Sequence, residues 1–193
     1  MCAFTKNPNT RFLFRTYTTD KSVDKRANKE CTIWQAARAT SAATTFFDPI
    51  KIGSQEFVDG ATGLNNPVEV VLEEAESIWP DAASRIQCIV SIGTGVPNLI
   101  DFGNNLREVV DTLKTISVET EETEKRFSKN QGNRGIGGRY FRFNVQQGLE
   151  KVDLHEHEEI GRIITATESY LGIPRMEEAI SAFLAARAPN ART

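Results

Sequence analysis

The chain has 193 residues, 39% of them hydrophobic and 25% charged, an ordinary globular balance for one domain or part of a larger one. A net charge of −3 supplies no strongly basic surface for nucleic acid or an anionic membrane. The three cysteines, Cys2, Cys31 and Cys88, are odd in number and form no C-x-x-C, which argues against a disulfide framework and a zinc site.

No stretch reaches the roughly 18 uninterrupted apolar residues of a membrane span. The start "MCAFTKNPNT" lacks the basic and apolar regions of a signal peptide, so the expected location is cytoplasmic. Residues 11–18, "RFLFRTYT", are rich in aromatics and threonine and predict a strand. The lysine-rich stretch 21–29 and the acidic run 119–124 read as solvated faces or loops rather than binding patches.

From Thr32, "TIWQAARATSAA" predicts a helix with Ile33, Ala36, Ala37 and Thr40 inward. Its small alanine-rich surface suits close packing on a sheet. Asp48-Pro49 ends helical geometry. "EFVDG" predicts a short strand running into a turn at Asp59-Gly60, with glycine free to take positive φ. Asn66-Pro67 reads as a helix start, asparagine capping and proline preorganised. Val68, Val71, Leu72, Ala75 and Ile78 form the expected buried stripe, with Glu69, Glu73, Glu74 and Glu76 outside.

"IQCIVSI", residues 86–92, predicts a strand buried on both faces, with Cys88 as a small buried hydrophobe. A long helix over about 104–129 is expected to bury Leu106, Val109, Val110, Leu113 and Ile116. "QGNRGIGG" (131–138) reads as a flexible loop and "RYFRFNV" as a strand with Phe141, Phe143 and Val145 on one face. Asp153 caps a predicted helix running to about Leu171, after which Gly172 and Pro174 break the chain. A last helix over 175–187 turns Met176, Ala179, Ile180, Phe183 and Leu184 inward, and "APNART" reads as a disordered tail. Helices alternating with strands predict an α/β layered fold.

The candidate for chemistry is Asp59. A carboxylate fixed at a strand end can orient or deprotonate a nucleophile if partial desolvation raises its pKa from about 3.9. Asp-Gly alone is only a common turn pair. His155 and His157 diverge at i, i+2 on a helix and form no H-E-x-x-H. Gly93-Thr94-Gly95 lacks a third glycine at Asn98, so a dinucleotide fingerprint is incomplete.

"AARATSAATTFFDPI", "FVDGATGLNNPV" and "SIGTG", in that order and followed by "RYFRFNV" and "GL", together resemble the C-terminal half of patatin-like phospholipases, closest to fungal members. The likeness spans roughly residues 10–171. It implies a three-layer patatin-like sheet with flanking helices, related to α/β-hydrolases and incomplete at its N-terminal side. Residues 1–171 would form the C-terminal portion of an acyl hydrolase domain, and 172–193 a terminal helix and tail.

The family's enzymes are lipid acyl hydrolases with a serine–aspartate dyad. By resemblance, Asp59 is the general base and Asp59-Gly60-Ala61 its motif, with no metal and no cofactor. The implied substrate is a glycerolipid or other acyl ester; peripheral contact with a membrane is compatible with that, and no nucleic acid is implied. Two departures stand out. No G-x-S-x-G elbow or glycine-rich oxyanion loop occurs, although in the family both precede the strand that begins here near Arg11. Thr44 stands where many members carry proline. Two readings follow: part of an acyl hydrolase inactive without its serine half, or a non-catalytic remnant acting as a scaffold. Lacking that half, the chain alone is expected to be poorly stable.

Overall fold

The computed structural model describes residues 1–18, 29–43, 47–96, 107–150, 152 and 157–187. Two compact units divide the chain, Met1–Pro80 and Asp81–Thr193. The α/β class is observed.

The first unit is built on a four-stranded sheet of β1 (Cys2–Thr5), β2 (Thr10–Leu13), β3 (Ile50–Ile52) and β4 (Gln55–Asp59), in the order β2-β1-β4-β3. All neighbours are antiparallel. Period-two alternation sends Ala3, Phe12, Ile52 and Phe57 to one face, where all four are buried. Phe12, Phe14 and Phe57 meet there with ring centroids 4.8–5.2 Å apart in tilted and edge-on geometry. The predicted strand 11–18 is therefore shorter and moved toward the N-terminus. β1 and β3 are elements that the sequence reading omitted.

Helix α1 (Ile33–Ala39) covers this core. Its start is fixed by Gln35, whose carboxamide oxygen accepts from the Thr32 amide at 2.9 Å. The expected inward face is corrected. Ile33 is 86% exposed, and Ala39 and Ala42 are fully buried instead. The methyl groups at the helix C-terminal end allow the close approach, so that end docks and the bulky start points away. Thr44 lies outside the described residues.

The other face carries α2 (Ala61–Leu64) and α3 (Val68–Ile78). The residue at the N-cap of α3 is Pro67, one position later than Asn66, and Asn66 itself is buried. Val68, Val70 and Leu72 are buried, whereas Val71 is 52% exposed. The expected stripe fails at Val71 because ion pairs on the acidic residues help set the helix orientation. Arg11 binds Glu73 at 3.1 Å, and Arg15 grips Glu74 through Nε at 2.5 Å and Nη2 at 2.8 Å.

Glu74, expected outside, is thus largely covered, and Tyr17 adds a hydroxyl donor at 3.2 Å. The Arg15 hydrogen bonds hold the Glu74 carboxyl below its usual range. A depressed folded-state pKa contributes stability above the ordinary value of about 4.3, which is lost as pH falls through the folded value. Glu74→Gln is expected to cost about 1–3 kcal/mol at pH 7 in urea denaturation. The gap from wild type should close below about pH 4.

The second unit contains α4 (Ala82–Arg85), β5 (Ile89–Ile92), α5 (Arg107–Asn130), β6 (Tyr140–Phe143), a 3-10 turn (His157–Glu159), α6 (Ile160–Leu171) and α7 (Pro174–Arg187). β5 and β6 pair in parallel. Ile89 is buried, but Val90 is 40% and Ile92 78% exposed, and Cys88 is half-buried. The expectation of a strand covered on both faces is therefore corrected. Among the described residues β5 has one strand neighbour, too little sheet to cover it.

The alternation in "RYFRFNV" is observed: Phe141 and Phe143 meet Phe183 of α7, and Tyr140 meets Phe127 of α5. Leu184, expected inward on α7, is 54% exposed. Residues 131–138 form hydrogen-bonded turns around a fully buried Ile136, with the Arg139 guanidinium donating to the carbonyls of Ala83, Ile86 and Gly135. The stretch taken as a loose loop is therefore anchored. The stripe expected on α5, Asp153 and the tail 188–193 lie outside the described residues or side chains.

Candidate active site

Asp59 ends β4, two positions after Phe57, so both side chains leave the same face of the sheet. Phe57 is fully buried, and Asp59, at the margin of the same core, is half-buried. The register opposes Asp59 to Ala3. Three steps along, the Lys6 amide donates to the Glu56 carbonyl at 2.8 Å. Antiparallel ladders alternate, so Ala3 and Asp59 form a non-hydrogen-bonded pair, whose side chains stand closest. The free Asp59 amide turns outward and donates to the Ala42 carbonyl at 3.0 Å. The segment after α1 is thereby tied to the end of β4.

Gly60 and Ala61 act through their backbones. The Ala61 amide donates to Asp59 Oδ1 at 3.0 Å, and Ala61 opens α2. Gly60 has φ −70, so positive φ is not why glycine stands here. A Cβ at this position would lie 2.8 Å from the Cys2 carbonyl oxygen. Glycine is required by the close passage of β1.

Burial pushes the Asp59 carboxyl above its ordinary range, and the Ala61 and Gly60 amides pull it part of the way back. Such a carboxylate is a better base than an exposed one, and backbone donors fix its direction. The structure brings Asp59, Gly60 and Ala61 together in one turn. His155 lies outside the described residues, as does the side chain of His157. Among the described residues no group of three His, Cys, Asp or Glu side chains is placed to hold a metal ion.

The glycines at 93 and 95 serve packing. A Cβ on Gly93 would sit 2.1 Å from Asn144 Oδ1, and the Gly95 amide donates to that oxygen at 2.9 Å. The amide is therefore engaged within the protein.

On the opposite face of the sheet, an apolar groove of about 400 Å³ runs between β2 and α3. Met1, Cys2, Leu13, Val71, Ile78 and Trp79 are in its lining, and the Arg15–Glu74 pair closes its polar side. Asp59 is not in that lining. Cys2 and Ala3, adjacent in β1, separate the two faces, and the sequence reading assigned neither of them a role. A four-residue strand gives little periodicity to find, and the importance of these residues arises only from pairing across 56 residues of chain.

Residues 1–72 match the family model described as patatin-like phospholipase. Phospholipase A I of Arabidopsis thaliana is 43% identical over 72 residues, which is 37% of this chain and 5% of that protein. Calcium-independent phospholipase A2-gamma of Mus musculus is 38% identical over 95 residues, 47% of this chain and 12% of its own length. The Homo sapiens protein of the same name is 32% identical over 118 residues, 58% of this chain and 15% of its own length. The chain thus spans only 5–15% of the length of these relatives. Among the described residues no helix is long and apolar enough to cross a membrane. The family match takes in all of β1, which the expected extent of roughly 10–171 omits, as well as Asp59, Gly60, Ala61 and the start of α3. Over residues 1–72, the chain is similar to patatin-like phospholipases.

Proposed function

We propose that this chain supplies the base of a serine–aspartate acyl hydrolase that cleaves the ester bonds of glycerolipids. Asp59 accepts the proton of a serine hydroxyl as that oxygen attacks the ester carbonyl carbon. The same proton then passes to the departing alcohol, leaving an acyl-enzyme. Water, deprotonated by Asp59, attacks the acyl carbonyl, and the carboxylic acid leaves as the serine regains its proton. The 193 residues hold no G-x-S-x-G, so in this reading the hydroxyl comes from residues outside them. Residues 1–171 are part of that hydrolase domain and 172–193 are appended to it; the enzyme works in the cytoplasm and meets its substrate at a lipid surface.

The observation that carries this reading is the half-buried carboxylate at the end of β4, held by amides and raised by burial. The missing elbow favours a second reading, a scaffold that keeps the fold without chemistry. Hydrolysis of p-nitrophenyl butyrate separates them. The 193-residue chain is expected to give no turnover. Joined to the segment encoded immediately upstream, if that segment carries a G-x-S-x-G, it should hydrolyse the ester, and serine→alanine in the elbow should abolish the rate. An upstream frame without the elbow, or a joined protein without turnover, supports the scaffold.

A further inference from the structure

We propose that Ala3 is a positioning residue for the Asp59 base: its methyl group, directly across the ladder, keeps water from one side of the carboxylate. This rests on the reading of Asp59 as a base, but its first test does not. Ala3 is fully buried and opposes Asp59 in a non-hydrogen-bonded pair, in which Cβ atoms stand about 4.5–5.5 Å apart. It also opposes Phe12 on the other side, so it is fixed in the middle of the sheet.

The charged groups of the surrounding elements are directed elsewhere. Glu56 of β4 and Lys6 pair at 3.5 Å on the far face. Lys51 of β3 opposes Glu56 on that same face. Arg11 of β2 binds Glu73, and Arg38 of α1 donates to the Asp48 carbonyl at 2.7 Å. The Cys2 thiol lies across the sheet, and α2 carries no charged residue. The groups acting on the carboxylate are therefore the apolar wall that desolvates it and the two amides that hold it. Ala3 supplies the part of that wall that comes from β1.

Any larger side chain at position 3 would meet the packed core, which leaves serine and glycine as probes. Serine places a hydroxyl donor beside the carboxylate and glycine admits water, so each favours the ionised form. The titration of the Asp59 side-chain carboxyl is followed by carbon-13 NMR in the full chain. Ala3→Ser should lower its midpoint by about one pH unit, and Ala3→Gly should lower it by less. Cys2→Ser, on the opposite face, should leave it in place. Unchanged midpoints in both folded Ala3 variants overturn the proposal, and so does an equal shift in Cys2→Ser. In the serine-completed enzyme, the acidic limb of the kcat/KM profile should move with the midpoint. A moved midpoint under an unmoved limb keeps the role of Ala3 as a shield and removes Asp59 as the base.

Discussion

Asp59→Asn should reduce ester hydrolysis by the serine-completed enzyme by roughly 10²–10⁴-fold, the usual worth of a positioned general base. Asparagine keeps Oδ1 as acceptor for the Ala61 amide at nearly the same place, so the turn itself should survive. What is lost is the capacity to take a proton. The stability of the same variant should move the other way. Burial raises the Asp59 pKa in the folded chain, so between its ordinary value of about 3.9 and the folded value the native state binds more protons than the unfolded state. Stability contributed by this group is thus greatest at low pH and falls as pH rises through that window. At pH 7 the charged carboxylate is held at a cost that the neutral amide removes. Thermal melts should find Asp59→Asn as stable as wild type or more so at pH 7, with the advantage gone below about pH 4. Loss of rate with gain in stability is the signature of a functional, strained charge. Full activity in the variant would remove Asp59 as the base, and a large fall in melting temperature would make its role structural.

The difference between what was legible in the sequence and what was not follows contact range. "FVDG" placed Asp59 at a strand end because its signals are local: apolar residues, then a turn pair. "RYFRF" placed Phe141 and Phe143 together because a clean alternation needs no knowledge of the partner, and Phe183 supplied one. The base role proposed for Asp59 rests on the family likeness, since Asp-Gly by itself is uninformative.

Other features depended on residues far along the chain. Gly60 is glycine because of the Cys2 carbonyl, 58 residues earlier, and not because of its own φ. Glu74 is covered because Arg15 reaches it across 59 residues. The periodicity from Thr32 put Ile33 on the inward face, but the alanines at 39 and 42 are buried instead, because small side chains fit closely where isoleucine would not. The continuous apolar run 86–92 promised two covered faces, but its strand pairs with β6 alone among the described residues, and Ile92 stands in the open. Apolar composition specifies what a strand can bury. It does not specify what is available to bury it.

The largest effect on stability should come from Phe57→Ala. Phe57 is fully buried, with Phe12 and Phe14 at 4.9 and 5.2 Å and Ile50 opposite it in β3. Truncation removes the ring's transfer free energy and leaves a cavity that a sheet clamped by α1 cannot collapse to fill, a loss of about 3–5 kcal/mol. That is a large share of the 5–15 kcal/mol that typically holds a whole domain. In urea the midpoint should fall steeply, whereas Ile33→Ala, at an 86% exposed side chain, should change stability by less than about 0.5 kcal/mol. Asp59 lies two residues further along the same face, so loosening at Phe57 also admits water toward the carboxylate. Phe57→Leu keeps most of the volume and should cost far less stability, yet still lower the Asp59 titration midpoint measurably if the aromatic cluster is part of the wall around it. Equal stability of Phe57→Ala and Ile33→Ala would mean that the three rings do not form the core of this unit.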